Sequence, residues 1–429
     1  MYTAVITAAV MAVDPPTCKV EWVPAAGVPW DSFELGAAVL GTSALGASAD
    51  WVDISSAVLS CSVRRGKQTE LLTYRAGLCN ITLKNTNRDF DPVYESSPYW
   101  DSATSSTQVK PGRAVRVTAI ESTAPNTESV VFFGTIREWA FGFTGGPDGF
   151  ATAEMQCSDA LHDLSLQNVT VSTTNALSGT VATEVLNSAA MTKRAVDAGD
   201  HTLAAQTLTN VNAKTALDII AFSEGTDVSA VWCAQDGNVT FSDYSSQEGS
   251  VVQANFGGTT PTIPIEKIAV TYNSSLVYND VSLQRVGGTS QNSTDSTSIT
   301  DVGRRNYTKS GLYSNNDIDV KSLCDLMLTQ FAQPEYRLRT ITVNGRVNSA
   351  AQSACCTLDI RELVNVKFQP PPSTSGLIDQ DHFIISKSLE WRNGAQGSFM
   401  CTLGLNSTTG KIGNSWILGT SQFPITIGF

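Results

Sequence analysis

Along the first third of the chain, apolar and polar positions alternate. Leu59, Cys61 and Val63 alternate with Ser60, Ser62 and Arg64, and Cys79, Ile81 and Leu83 with Asn80, Thr82 and Lys84. Val115, Val117 and Ala119 alternate with Arg116 and Thr118, and Ala151, Ala153, Met155 and Cys157 with Thr152, Glu154 and Gln156. A period of two sends successive side chains to opposite faces. Each run therefore predicts a strand with one buried and one solvated face, and together they predict antiparallel sheet or barrel. The aromatic run 130–143 changes pattern around Gly134, which predicts a bulge or a long bent strand.

Helical spacing replaces alternation in the middle of the chain. Val181, Ala182, Val185, Leu186 and Ala189 share one helix face, as do Ala213, Ala216, Leu217 and Ile220, with Asn212 as cap and Gly225 as stop. Strand-like runs at 228–233 and 239–241 flank Asp236-Gly237, a hairpin signal. Residues 166–260 thus predict an α/β insertion between a first β domain at 1–165 and a second at 261–429. In the second, Ile268, Val270 and Tyr272, Val281 and Leu283, Ile341 and Val343, Cys356, Leu358 and Ile360, and Phe399, Cys401, Leu403 and Leu405 read as strands. The Ser-, Thr- and Gly-rich stretch 286–301 predicts a mobile loop. Val320, Leu323, Cys324, Met327, Leu328 and Phe331 predict a helix over 318–333, capped by Asp317 or Asp319 and stopped by Pro334.

Composition narrows the class. With 41% hydrophobic residues among 429, the chain can fill several cores and is not a disordered one. Charged residues are only 16%, against roughly 25% in ordinary soluble proteins. Ser, Thr, Asn and Gly take their place, giving an extended β protein with a neutral surface. Against 40 acidic residues stand 28 Lys and Arg, for a net charge of −12. That sign opposes coating nucleic acid or an anionic membrane. No stretch reaches the roughly 18 to 20 apolar residues of a membrane span. Nine scattered cysteines without a C-x-x-C pair read as reduced core thiols of a protein assembled in the cytoplasm.

Catalytic chemistry finds little footing. His162, His201 and His382 have no metal-ligand spacing and read as surface or cap residues, and neither H-E-x-x-H nor G-x-S-x-G occurs. Asn85, Asn87, Asp89 and Asp91 occupy alternate positions, as in a calcium loop. Phe90 stands where the loop needs glycine and Ser96 where it needs Glu, so a polar turn is expected instead. The Cys355-Cys356 pair lacks a neighbouring His or Lys cluster to lower its pKa. The expectation is a chain without catalytic residues, cofactor or metal, and not an enzyme.

Several blocks occur in a specific order. They are S-C-S-V-R-R-G-K (60–67), A-G-L-C-N-I-T-L-K-N-T-N-R-D-F-D-P (76–92), S-P-Y (97–99), P-G-R-A-V-R-V (111–117), F-F-G-T-I-R-E-W (132–139) and C-S-D-A-L-H-D-L (157–164). V-Y-N-D-V-S-L (277–283), V-G-R-R (302–305) and P-E-Y-R-L-R-T-I-T-V (334–343) follow. This order resembles the minor tail proteins of long, non-contractile-tailed bacteriophages, especially those infecting actinobacteria. The resemblance implies a tail hub at the tail tip. In it, two tube-like antiparallel β-barrel or β-sandwich domains flank the smaller α/β region, and three chains form a pseudo-sixfold ring continuing the tail tube. It also implies partners in the tail tube, distal tail protein, tape measure and tail-tip fibres, with DNA passing through the lumen without specific binding. The location would be the virion, assembled in the host cytoplasm.

On this reading the lumen-facing strand residues are neutral or acidic. Arg64, Arg65, Arg113, Arg116 and Arg137 are candidate inter-subunit contacts, or simply a solvated strand face. Trp139 and its aromatic neighbours read as core. The rival readings are a hexameric distal tail protein joining tube to tip, a receptor-binding tip protein recognising host glycan, and a cell-wall hydrolase.

Overall fold

The alternating runs become strands, and their backbone groups are satisfied within one large sheet. The computed structural model describes residues 13–24, 51–143, 151–247, 250–258, 262–369, 378–393 and 397–407. Among these, a 13-stranded sheet follows the path Lys267–Asn273, Glu335–Asn344, Ser398–Ser407, Ile378–Arg392, Val58–Gly66, Arg75–Lys84, Ala151–Ser158, Glu128–Phe143, Ala114–Ile120, Thr17–Trp22 and Val52–Asp53. Leu363–Phe368 also pairs with Ile378–Arg392, and Ala254–Gly257 runs parallel to Leu363–Phe368. The two β regions foreseen at either end of the chain are joined where Ile378–Arg392 pairs antiparallel with Val58–Gly66, Ser386 opposite Gly66 and Arg392 opposite Ser60. Their cores are continuous too. Trp22, Ile81, Val117 and Met155 share one apolar cluster with Ile341, Val364, Phe399 and Cys401. The chain is mainly β, as the alternation required.

Glu128–Phe143 is the long strand expected from the aromatic run, with register shifts opposite Val117/Thr118 and at Ile136/Glu138. Gly134 has no room for a side chain, since a Cβ there would lie 2.2 Å from the Ser158 carbonyl oxygen. All nine cysteines are buried free thiols, and the Cys61 and Cys79 sulfurs are 3.8 Å apart.

The α/β region lies against this sheet. Helices α1 (Ala160–Leu166), α2 (Ser178–Ser188) and α3 (Ala213–Gly225) pack with a small sheet of Arg194–Val196, Val239–Ser242 and Ala230–Cys233. Asn212 caps α3 as expected, its Oδ1 accepting from the Thr215 N–H at 3.0 Å. Residues 276–332 form a second α/β unit beside the first. There Asp280–Arg285 lies between Gln291–Thr294 and Asn306–Leu312, in contact with α5 (Asp317–Phe331). Phe222 of α3 joins its core of Val281, Leu283, Leu312, Val320, Cys324 and Met327.

Four local expectations are corrected. The stretch 286–301 is not a bare loop: it holds the strand Gln291–Thr294 and most of α4 (Ser296–Val302). Its Ser and Thr residues, which mimic linker composition, serve as ladder and cap-binding groups. Asp295 accepts from the Ser298 N–H, and the Ser298 hydroxyl accepts from Asn279 Nδ2, both at 3.0 Å. Cys356 is not in a strand but in α6 (Ser349–Thr357), capped by Asn348 at 2.8 Å from Ala351 N. The run of alanines before it favours helix. Asn316, not Asp317 or Asp319, caps α5, while the two aspartates sit in its first turn, where the helix dipole favours a negative charge. His382 is buried rather than on the surface, its Nδ1 lying 3.2 Å from the Asn406 carbonyl oxygen.

Candidate functional site

Because directly opposed residues in an antiparallel pair point to the same side, register decides what each face of the sheet displays. One row runs Asn344, Met400, Glu390, Ser62, Asn80, Gln156, Glu138 across seven strands. A second runs Lys267, Thr342, Thr402, Ser388, Arg64, Leu78, Ser158. A third runs Ser398, Arg392, Ser60, Thr82, Glu154, Ala140. The opposite face carries the core residues Val63, Cys79, Ile81, Leu389, Cys401 and Met155. A mainly polar face, open to solvent except at Ser158, therefore crosses both β regions. Its charges are mixed: Arg64, Lys84, Arg392 and Lys267 against Glu138, Glu154 and Glu390. Arg64 and Glu390 lie 3.6 Å apart and are exposed, a pair worth little.

Among the described residues, strand segments at both ends of this face are unpaired on one side. Among the described residues Lys267–Asn273 pairs only with Glu335–Asn344. At the other end Ala114–Ile120 covers only 128–135 of the long strand, so 139–143 pairs only with Ala151–Ser158. Each edge bears an exposed aromatic residue, Tyr272 at 68% and Phe143 at 64% exposure.

Behind the face, buried charges tie the sheet to the α/β region. Arg65 Nη2 donates to Asp359 Oδ1 at 2.5 Å and Nη1 to the Cys233 carbonyl at 3.1 Å, while Asp359 Oδ2 accepts from the Gln235 N–H at 2.8 Å. Burial opposes the Asp359 charge, but Arg65 and Lys387 outweigh it and hold the carboxyl below its usual range. Lys387 donates to the Leu358 carbonyl at 2.5 Å, and burial pushes its ammonium pKa down. Lys67 pairs with Asp227 at 2.5 Å, both side chains fully enclosed. A cavity of about 470 Å³ beside α6 is lined by small neutral groups apart from Glu362, whose carboxylate accepts the Asp359 N–H. Among the described residues no group of three or more His, Cys, Asp or Glu is placed to hold a metal ion, and no helix is long and apolar enough to cross a membrane.

No protein-family model matches the chain, and no curated protein matches it. In structure it is similar to the tail protein from Neisseria meningitidis MC58, at 13% identity and a TM-score of 0.55, covering 93% of this chain and 98% of that one. It is also similar to the 43 kDa tail protein of prophage MuSo2 from Shewanella oneidensis, at 11% identity and a TM-score of 0.55, covering 92% and 98%. The chain has the fold of phage tail proteins.

Within this tail-protein fold the five arginines part company. Arg64 lies on the polar face. Arg65 points to the opposite side and is spent on Asp359 and Cys233, so it is closed to a second chain. Arg116 is half-buried, with its Nη2 2.8 Å from Glu21 Oε2, and stacks on Trp51. Arg113 is half-buried beside its strand, and Arg137 is exposed at the bulge. The acidic ladder forms a turn: Asn85 Oδ1 accepts from the Phe90 N–H at 3.0 Å, and Arg88 pairs with Asp91 at 2.8 Å. Sequence reasoning missed Asp359, Lys387 and Asp227, because each pairs with a partner far along the chain.

Asp159 was also missed. It caps α1 from the Leu161 N–H at 3.0 Å and accepts the Gly77 N–H at 2.7 Å. Burial pushes its carboxyl up to about 7, against the pull of those two amides and Arg65. The folded chain then holds a proton that the unfolded chain has released, so stability falls as pH rises from about 4 to about 7 and is level above. Asp159→Asn is expected to remove this slope at a cost of about 1 kcal/mol for the Gly77 bond. Urea midpoints across that pH range check it, and an unchanged slope in the variant would assign the titration to another group.

Proposed function

We propose that this chain is a structural virion protein, a trimeric hub at the tip of a phage tail. Its polar sheet face lines the channel through which the genome leaves. The observation that carries the reading is the register-matched polar face that crosses both β regions, on which four basic and three acidic side chains nearly cancel. A lumen must not hold phosphates, and a basic lining would do so by counterion release. The edges at Lys267–Asn273 and at 139–143, unpaired on one side among the described residues, suit closure by a neighbouring copy, since an unpaired edge is otherwise an aggregation hazard and a cyclic ring removes it. The resemblance of the ordered sequence blocks to minor tail proteins, and the tail-protein fold, support the same placement. The chain acts by assembly with tail tube, distal tail and tape-measure proteins, and no step of bond chemistry is assigned to it. A hexameric distal tail ring is the second reading, because the same edges close a six-copy ring. Rotational averaging of isolated tail tips tests the choice: three copies per ring support the hub, and six support the distal ring.

A further inference from the structure

The contact between sheet and α/β region combines an apolar patch with buried charges. From the sheet side Tyr74, Phe133 and Ile360 enter the apolar core that α1, α2 and α3 build, with Trp51, Ala76 and Val130 packed against it. Polar contacts hold the joint at two places, the Cys233–Gln235 turn bound by Arg65 and Asp359 and the loop after α3. Asp227 Oδ1 accepts from Lys67 Nζ at 2.5 Å and from the Leu71 N–H at 2.8 Å, and Oδ2 faces Asn406 Nδ2 at 3.4 Å. Lys67 also sits 4.9 Å over the Tyr74 ring. One residue on, the Val228 carbonyl accepts from Arg361, whose guanidinium lies over Trp232.

Backbone strain gathers at the same contacts. Thr226, a β-branched residue, has φ +55°, and Leu71 and Arg361 have φ +61° and +74°. Such conformations cost bulky residues about 1–3 kcal/mol each and persist only where the surroundings over-determine them. The Thr226 hydroxyl is buried and makes no hydrogen bond. A joint that rests on paired buried charges and three strained residues from three segments is built to separate as a unit.

We propose that the loop at Thr226 and Asp227 is a strained latch, by which the α/β region is held on the sheet and from which it lifts while the sheet stays folded. The inference concerns the isolated chain and does not depend on the ring. Native-state hydrogen exchange of the full chain, read by mass spectrometry, tests it. Lys67→Met leaves Asp227 buried without its cation, and exchange in 67–74 and 213–233 is expected to rise about tenfold or more, with 79–83 and 401–405 unmoved. Thr226→Gly relieves the strain and keeps every polar contact, so exchange in the same segments is expected to fall about threefold to tenfold. A rise spread evenly over sheet and α/β region in Lys67→Met, no rise at all, or faster exchange in Thr226→Gly would overturn the latch. Should Lys67→Met fail to fold, Thr226→Gly decides alone: a fall confined to the joint supports the latch, and no local change overturns it.

Discussion

Particles carrying Ser62→Lys, Asn80→Lys and Gln156→Lys together are expected to build complete tails yet infect at least about tenfold less well than the parent. The three positions lie side by side in one row of the polar face, in the middle of the long sheet. All three are at least partly open to solvent, where substitutions usually change stability by no more than about 0.5 kcal/mol, so assembly survives. In a ring the same row recurs in every copy, and the new ammonium groups form a basic belt around the lumen. Each phosphate held there releases counterions, so ejection in vitro should be slow in dilute salt and recover as salt rises, with a log–log slope of about 0.9 per phosphate. The matching Glu substitutions should leave ejection fast. Unchanged infectivity and salt response in the lysine variant would remove the face from the genome's path.

Gly66→Val is expected to cost at least about 3 kcal/mol of stability, the largest effect of any single substitution considered. Gly66 closes the strand through which the two β regions are joined. Its φ of +111° is open to glycine alone, and a Cβ would lie 2.3 Å from the Ile385 carbonyl oxygen and 2.5 Å from Ser386 Cα. Both obstacles are backbone in the paired strand Ile378–Arg392, so neither can rotate away. Relief requires the two strands to part, and the shared core of Ile81, Phe399 and Cys401 opens with them. Urea unfolding at one pH measures the loss. A variant within about 0.5 kcal/mol of the parent would show that the strand pairing tolerates separation at this point.

Period-two alternation and the aromatic run located eight of the thirteen strands of the long sheet, because a half-buried strand has to write its two faces into successive residues. Thr17–Trp22, Val52–Asp53, Ala254–Gly257, Leu363–Phe368 and Ile378–Arg392 went unread. The α3 cap at Asn212 and the Asp236-Gly237 hairpin were legible for the same reason: their physics is local. Misreadings arose where one composition serves two structures. Ser and Thr in 291–302 cap and pair rather than link, and Cys356, Leu358 and Ile360 alternate only because a helix ends among them. The site was half legible. Ser62, Asn80 and Gln156 were visible as the solvated side of their strands. That they form one row with Glu390 and Met400 depends on Ile378–Arg392 pairing with Val58–Gly66, a contact across more than three hundred residues. Arg65 and Asp359, 294 residues apart, were invisible as a pair for the same reason, and Arg65 was grouped with surface arginines that it does not accompany.

The most direct test of the central claim is a reconstruction of the intact tail tip at side-chain resolution. It should show three copies with Ser62, Asn80 and Gln156 facing an open channel, and the Lys267–Asn273 edge of one copy against 139–143 of the next. A map in which that face is turned outward or buried against another protein, or in which the chain is missing from the particle, would contradict it.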